Sequence, residues 1–213
     1  MNQVKNLQFL TTLSYFTRNT LSQIIDIPKK NLYSAIQRWI KNKRLLQLKR
    51  GLYVTREYYD KNERKDDYRL FVANKLREPS YLSLEFVLQK YGILSESVFA
   101  LTSITLKSKR SYKNGLGFFT YKNISSRLFT GFEIKTYGGY EVKEATKMKA
   151  LFDYLYLKLL RIQKIDSELL ESFRLNLEKL KKSELREFLR YCKETQIQKY
   201  IDLLPMLRQS YDI

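Results

Sequence analysis

Histidine is absent from this chain of 213 residues, and cysteine occurs once, at Cys192. Without histidine, the sequence excludes Ser-His-Asp and Cys-His catalysis, zinc sites that use imidazole, and histidine general bases. One cysteine cannot form an intrachain disulfide or a four-cysteine metal site, and this usage is typical of a reducing compartment. We therefore expect a cytoplasmic protein that holds no metal and no cofactor.

Long apolar runs are also missing. No stretch approaches the roughly 18 consecutive apolar residues of a membrane-spanning helix. The segment from Asn6 to Thr17 is interrupted by Asn, Gln, Ser and Thr side chains and is followed by no small-residue cleavage site. It therefore does not resemble a secretory signal peptide. The sequence predicts neither a membrane-spanning helix nor a secretory leader.

Acidic residues are scarce at the beginning of the chain. Residues 1–56 contain eleven Lys and Arg but a single acid, Asp26, whereas residues 57–213 contain 29 basic and 21 acidic side chains. The whole chain has a formal net charge of +18, and its hydrophobic fraction of 44% is ordinary for a protein with a core. A basic segment this poor in acids favours a polyanionic partner, with nucleic acid ahead of an anionic membrane surface.

Mixed charge marks the end of the basic segment. Residues 57–69 (EYYDKNERKDDYR) are dense in both signs and poor in aliphatic side chains, which is typical of a linker that leads into a solvated helix. We expect a first domain over residues 1–57, a linker over 58–66 and a second domain over 67–213.

Three short helical patterns precede a hairpin pattern in the first domain. The first covers Val4–Ser14, and the second opens at Thr20, because Thr20–Gln23 (TLSQ) has the pattern of a capping box. The second helix is expected to end before Pro28, since the residue before a proline avoids the helical conformation.

The third helix is predicted over Lys29–Lys43, where Leu32, Ile36, Trp39 and Ile40 form one apolar stripe. The opposite face has no acid and carries amide, hydroxyl and basic side chains, the groups that contact base edges and phosphates in a major groove. The residues expected to contact DNA are Lys29, Lys30, Asn31, Ser34, Gln37, Arg38 and Lys41. The spacing of the second and third helices predicts a helix-turn-helix whose third helix reads DNA.

Two short alternating strands are predicted within residues 45–54, with a turn at Lys49-Arg50-Gly51. Glycine supplies the positive φ that a tight turn requires. Two cations at the tip of a hairpin form a wing that can contact phosphate or the minor groove. We therefore add Lys49 and Arg50 to the expected DNA-binding residues. The apolar side chains of the two strands are Leu46, Leu48, Leu52 and Val54.

The second domain is predicted to be α+β, with a small antiparallel sheet between helices. Helices are expected over Asp67–Leu76 and from a Ser83 cap to Tyr91. Strand patterns follow over Phe99–Leu106, Gly117–Tyr121, Ser126–Phe129 and Phe132–Tyr137. Helical patterns return over Ala145–Leu160 and then around Leu169–Leu180, Leu185–Cys192 and Ile197–Leu204. Cys192 falls on an apolar stripe, so we expect it to be buried and inert.

One pattern has the chemistry of a metal-dependent nuclease. Glu133-Ile134-Lys135 and Glu141-Val142-Lys143 spell Glu-x-Lys, and strand alternation places the carboxylate and lysine of each run on one face. Such a carboxylate can hold Mg²⁺ while the lysine polarises the attacking water. The required second carboxylate lacks a recognisable context; the candidates are Asp66, Asp67, Glu85 and Glu96. We therefore favour cross-strand ion pairs and predict no catalytic residue.

Several runs resemble the AbiEi-type antitoxins of bacterial type IV toxin–antitoxin systems. Phe16–Val54, which ends in LKRGLYV, is similar to the N-terminal winged domain of that family. Glu78–Ile93 (EPSYLSLEFVLQKYGI) and Arg127–Tyr156 (RLFTGFEIKTYGGYEVKEATKMKALFDYLY) are similar to segments of its second domain. The family usually has an acid before the Lys-Ala-Leu step, where this chain has Met148. The resemblance covers residues 10–160.

The resemblance implies a winged helix-turn-helix followed by an antitoxin domain, without enzymatic activity. Such a protein represses its own operon and counters a nucleotidyltransferase toxin without being expected to form a stable complex with it. Because one winged domain has a small reading surface, we expect two copies on an inverted repeat in the chain's own promoter. The alternatives are a winged-helix regulator without a toxin, a nuclease that uses a Glu-x-Lys strand, and, least favoured, a membrane-surface protein.

Overall fold

A small three-stranded sheet organises the beginning of the chain. In the computed structural model, which describes residues 9–25, 27–178 and 180–211, the chain is a mixed α+β protein. The first sheet consists of β1 (Phe16–Thr17), β2 (Leu45–Lys49) and β3 (Leu52–Thr55), with β3 between the other two and both pairings antiparallel. The helices α1 (Arg18–Ile24) and α2 (Lys29–Lys41) lie between β1 and β2 in sequence. The buried side chains of this first core are Leu10, Phe16, Leu21, Ile25, Leu32, Ala35, Ile36, Trp39, Leu45 and Tyr53.

Helix α1 begins earlier than the sequence predicted. Thr17 is its cap: Thr17 Oγ1 accepts a hydrogen bond from the Thr20 N–H at 3.2 Å, and Thr20 Oγ1 accepts one from the Thr17 N–H at 3.3 Å. The prediction that Thr20 opens the helix was therefore wrong, because a threonine takes the place that Glu or Gln usually has in a capping box. Residues 4–8 of the predicted helix Val4–Ser14 lie outside the described residues, and in the described remainder Leu10–Thr12 form a 3-10 turn.

The third predicted helix is confirmed as α2, although it ends at Lys41 rather than Lys43. Leu32 and Trp39 are buried, and Ile40 is half-buried. The chain leaves the helix through Lys43, whose φ of +55° is left-handed, a common way for a helix to end.

The β2–β3 hairpin lies between two cores. Leu45 and Tyr53 belong to the first core, whereas Leu48, Leu52 and Val54 pack into the core of a second, larger sheet. Because alternate residues of a strand point to opposite faces, both faces of this hairpin are covered. The hairpin therefore packs against both cores and does not project freely from the molecule.

The second sheet has six strands within the described residues. They are β4 (Ser80–Leu82), β5 (Ala100–Thr105), β6 (Arg110–Asn114), β7 (Gly117–Asn123), β8 (Phe132–Tyr137) and β9 (Tyr140–Ala145). Their order across the sheet is β6-β7-β5-β4-β9-β8. The predicted antiparallel pairing is present in three strand pairs, but β5–β7 and β4–β9 run parallel, so the sheet is mixed.

The sequence misassigned one element of this sheet and missed another. Ser126–Leu128 form a 3-10 turn where a strand was predicted. Ser80–Leu82 form β4, a central strand for which no strand was predicted. Three residues that are buried on both sides show no alternation, so the hydrophobic pattern does not reveal such a strand.

Helices cover both faces of the second sheet. They are α3 (Arg56–Lys61), α4 (Lys65–Leu76), α5 (Leu84–Lys90), α6 (Lys147–Leu159), α7 (Ser167–Ser172), α8 (Lys182–Glu194), α9 (Gln198–Ile201) and α10 (Leu203–Tyr211). Helix α4 packs on one face, where the Tyr121 hydroxyl donates to the Ala73 carbonyl. Helices α5 and α6 pack on the other, where the Thr102 hydroxyl donates to the Ser83 carbonyl at 2.6 Å. Among the described residues, no helix has the length and apolar character needed to cross a bilayer.

The helix predicted around Leu169–Leu180 is shorter than expected. Helix α7 ends at Ser172, and Arg174 follows with a φ of +49°, so the helix does not continue to Leu180. Leu175 and Leu177 are nevertheless buried, because a segment without regular secondary structure carries them into the core. The apolar pattern in this segment therefore indicates burial and not helical continuity.

The expected linker over residues 58–66 contains regular structure. It includes most of α3 and the first residues of α4. The Tyr58 hydroxyl is hydrogen-bonded to the Tyr140 hydroxyl on β9, and the Asn62 side-chain amide donates to the same hydroxyl at 2.9 Å. These contacts tie the segment to the second sheet.

Candidate nucleic-acid interface

Helix α2 presents a polar, basic face to solvent. Its apolar stripe faces inward, with Trp39 only 4% exposed, so the 3.6-residue period turns the remaining side chains outward. The exposed side chains include six of the predicted DNA-binding residues: Lys30, Asn31, Ser34, Gln37, Arg38 and Lys41. The side chain of the seventh, Lys29, lies outside the part of the chain that the structure describes.

Tyr33 lies among these residues and was missed by the sequence analysis. It is 60% exposed although it is a large aromatic side chain. Its position one residue after Leu32 places it off the apolar stripe, and that spacing was the signal available in the sequence. A tyrosine here adds a hydroxyl and an apolar ring to a surface otherwise built from amides and cations.

The cations of the first sheet and its helices have no acidic partners within the described ranges. No ion pair joins Lys30, Arg38 or Lys41 to a carboxylate, and none is formed by Lys43, Arg44 or Arg50. The second part of the chain differs, since ion pairs hold several of its cations, among them Lys61 with Glu57 and Lys75 with Glu78. The positive charges of these unpaired cations of the first sheet and its helices are therefore available to an external anion.

The hairpin turn carries one exposed cation. Gly51 has a φ of +83°, which favours glycine, and Arg50 beside it is exposed. The Arg18 N–H donates to the Gly51 carbonyl at 3.2 Å, which holds the first residue of α1 against the turn. Arg18 is also exposed, so it adds a second cation at this place that the sequence analysis did not include.

The structure places Lys49 differently from the prediction. Its ammonium donates to the Leu76 carbonyl at 2.7 Å and to the Lys75 carbonyl at 3.5 Å, at the carboxyl end of α4. A cation is stabilised there by the helix dipole and by carbonyls that lack a partner within the helix. Burial, and then the charge of Lys107, lowers the pKa of Lys49. Lys49 thus joins the hairpin to the end of α4.

The two Glu-x-Lys runs do not form one site. In the β8–β9 hairpin Glu133 lies opposite Glu144, and Thr136 lies opposite Glu141. Strand alternation therefore places Glu133 and Lys135 on one face and Glu141 and Lys143 on the other. Among the described residues, no cluster of three or more Cys, Asp or Glu side chains is arranged to hold a metal ion.

The carboxylate that pairs with Lys135 is that of Glu144. Neither glutamate of the Glu-x-Lys runs, Glu133 or Glu141, forms this ion pair. Glu144 is fully buried and accepts hydrogen bonds at 2.8 Å from the Lys135 ammonium, the Lys90 ammonium and the Tyr137 hydroxyl. Burial alone would raise the pKa of Glu144, but hydrogen bonds from Lys135, Lys90 and Tyr137 outweigh it and hold the pKa below its usual range. Both carboxylate oxygens are occupied, so this cluster ties β8 and β9 to α5.

A second ion pair is completely buried. Lys149 donates to Asp153 Oδ1 at 2.6 Å and to the Leu128 carbonyl at 2.8 Å, while the Tyr81 and Ser83 hydroxyls donate to Asp153 Oδ2. Burial raises the pKa of Asp153 against the opposing effect of Lys149. Tyr81 and Ser83 come from one run that carries the resemblance, and Lys149 and Asp153 come from another. These runs therefore meet in one satisfied polar network inside the fold.

Cys192 is buried as predicted, and burial raises the pKa of its thiol to about 12.

Comparison with models of protein families finds no match for this chain, and comparison with curated proteins finds none either.

Proposed function

We propose that this chain is a DNA-binding antitoxin of a type IV toxin–antitoxin operon, which represses its own promoter through an N-terminal winged helix-turn-helix. The observation that carries the DNA-binding half is the exposed face of α2. It combines lysine, arginine, asparagine, glutamine and serine with no acid, and its cations form no ion pair with described carboxylates.

The order of elements supports a winged helix-turn-helix. Two helices joined by a short turn precede a hairpin, and the small sheet has the strand order β1-β3-β2. In such domains the second helix of the pair enters the major groove and its first residues reach base edges. We assign that role to α2, with Lys30, Asn31, Ser34 and Gln37 nearest the bases.

Phosphate contacts come from the cations around this helix. Arg38 and Lys41 extend the basic face toward the end of α2, and Arg50 with Arg18 lies at the hairpin turn. Phosphate contacts fix orientation and affinity, whereas contacts to base edges give specificity. Two copies on an inverted repeat supply the reading length that one module lacks.

The DNA-binding half is tested with Asn31→Ala and Gln37→Ala in the full-length chain. Binding to the DNA upstream of its own gene and to a scrambled duplex is measured by fluorescence anisotropy. Each variant is expected to lose about 1–3 kcal/mol of discrimination between the two duplexes, because base contacts carry specificity. Gln209→Ala, an exposed glutamine on α10, is the matched control and is expected to keep both affinities. Equal losses on both duplexes would contradict a reading role for α2.

The antitoxin half rests on the resemblance of the second part of the chain, and a genetic experiment tests it. We expect a nucleotidyltransferase-type toxin gene beside the gene for this chain, and growth arrest by that toxin to be relieved when the chain is co-expressed. Absence of such a neighbour, with promoter binding retained, would instead favour a winged-helix regulator without a toxin partner.

A further inference from the structure

A groove of about 730 Å³ crosses the second sheet, and its described lining contains no residue of the first 56. Its floor is the face of β6 and β7 that carries Ser111, Phe118 and Thr120. Helix α5 packs on the neighbouring strand β5, so it leaves these two outer strands open on that side. On the opposite face Phe119 and Tyr121 are buried. The groove is thus the uncovered end of an otherwise covered sheet.

Two phenylalanine rings face solvent in this groove. Phe99, from the segment that enters β5, is 88% exposed, and Phe118 on β7 is 43% exposed. A single exposed apolar side chain is ordinary on a protein surface. Two exposed aromatic rings in one groove are surfaces on which flat apolar groups can stack, and stacking removes each ring from water.

Three lysines line the groove beside the rings: Lys109, Lys122 and Lys158. A lysine beside an edge strand such as β6 also prevents pairing with other sheets, and that role accounts for Lys109 alone. Lys122 lies on the inner strand β7, and Lys158 projects from α6. Arg110 lies opposite Tyr121, so its side chain belongs to the other face of the sheet. Cations from three separate segments therefore line a groove that also presents aromatic rings, the combination by which proteins hold the phosphates and bases of unpaired nucleotides.

Two carboxylates in the same groove, those of Glu85 and Glu96, favour RNA over DNA. A carboxylate repels phosphate, so it is compatible with a polynucleotide only where it accepts hydrogen bonds from a donor. The ribose 2′-hydroxyl is such a donor, and the Ser111 and Thr120 hydroxyls on the floor can pair with it as well. A duplex offers no free base faces to Phe99 and Phe118, which excludes double-stranded ligands.

We propose that this groove binds a single-stranded segment of RNA, with bases stacked on Phe99 and Phe118 and phosphates held by Lys109, Lys122 and Lys158. This site is separate from α2 and does not depend on the DNA-binding function proposed for that helix.

The test uses the full-length chain and a fluorescein-labelled single-stranded RNA of about twelve nucleotides, within the size range of such sites. Phe99→Ala and Phe118→Leu are expected to weaken RNA binding by roughly 5- to 150-fold each, because each removes one stacking platform. Leucine at position 118 retains an apolar side chain on the strand and removes only the ring. The double variant Lys109→Gln with Lys122→Gln is expected to reduce the salt slope of binding by about 1.4, since each phosphate contact contributes about 0.7 on a single strand.

Phe9→Ala removes a phenylalanine that is 71% exposed outside the groove, and Lys164→Gln removes an exposed lysine outside it. Both controls are expected to bind RNA like the unaltered chain, as is Gln37→Ala on α2. The proposal is overturned if the unaltered chain does not bind the RNA, if it binds DNA of the same sequence equally well, or if the phenylalanine variants retain full affinity. Loss of RNA binding in Gln37→Ala would place the RNA on α2 and would also overturn it.

Discussion

Lys49 and Arg50 are neighbours in sequence, and the structure predicts opposite consequences for removing their charges. Lys49 donates to the Leu76 carbonyl at the end of α4, whereas Arg50 is exposed at the hairpin turn. Lys49→Met and Arg50→Gln therefore separate a contact that stabilises the fold from a side chain proposed to bind DNA. Sequence analysis alone assigned both residues to DNA.

The loss at Lys49 is estimated from its two acceptors. A hydrogen bond from a charged donor contributes about 1.5–3 kcal/mol to the stability of the fold. Replacing the half-buried Lys49 cation also removes the cost of its partial desolvation, which offsets part of the lost contribution. We expect Lys49→Met to lower the free energy of unfolding by about 1 kcal/mol, equivalent to a fall in Tm of roughly 2–4 °C for a chain of this size. The salt slope of DNA binding should be unchanged, because the Lys49 ammonium is held by carbonyls at the end of α4.

Arg50→Gln has the opposite signature. A substitution at an exposed turn changes the free energy of unfolding by about 0.5 kcal/mol or less. Loss of one phosphate contact should reduce the salt slope on every duplex by about 0.9 and should weaken cognate and scrambled DNA alike.

Thermal unfolding and anisotropy titrations between about 50 and 200 mM salt, a range over which phosphate contacts change affinity strongly, give both quantities for each variant. If Lys49→Met reduces the salt slope, or if Arg50→Gln lowers Tm while leaving the slope intact, the assignment of the two residues is reversed and the reasoning is wrong.

Two further predictions concern the buried charges. The pKa of Glu144 is held below its usual range, so its contribution to stability is present above pH about 4.3 and is lost as the pH falls through the lowered value. Urea unfolding of Glu144→Gln should therefore show a smaller loss of stability between about pH 6 and pH 3 than the unaltered chain, and an equal loss would contradict the ion-pair assignment. Lys149→Met should cost about 3–5 kcal/mol at neutral pH, because it leaves Asp153 buried without its cation. Adding Asp153→Asn should recover part of this loss in the same urea measurement, and no recovery would show that the charge of Asp153 is not the cause.

The sequence predicted the elements whose apolar residues recur over several turns. The α2 stripe through Leu32 and Trp39 and the α6 stripe through Leu151 and Leu155 are buried as expected, since a 3.6-residue period that persists over several turns is typical of a helix packed on a core. The exposed face of α2 followed from the same period. Hairpin geometry followed from Gly51, because a turn of this kind requires a positive φ.

What the sequence did not predict depends on contacts between distant residues. The partner of Lys49 is a carbonyl at the end of helix α4, 27 residues further along the chain, and no local pattern distinguishes a capping lysine from a solvated one. The short strand at Ser80–Leu82 exists because β5 and β9 flank it. The sequence did not predict the groove with Phe99 and Phe118 for the same reason, since only the order of strands in the sheet brings the residues of its walls together.

The shared hairpin changes how the proposed DNA-binding module relates to the rest of the chain. Leu48, Leu52 and Val54 are at most 5% exposed because the second core covers them, and Asn114 on β6 donates to the Leu48 carbonyl at 2.8 Å. Separation of the two parts would expose these apolar side chains to water, at a cost of roughly 25 cal/mol for each Å². The second sheet therefore fixes the direction of the hairpin and of Arg50 at its tip. Any ligand that alters the packing of β6 acts on the strand against which the hairpin rests, so the groove proposed for RNA and the surface proposed for DNA are joined by one continuous set of packed residues.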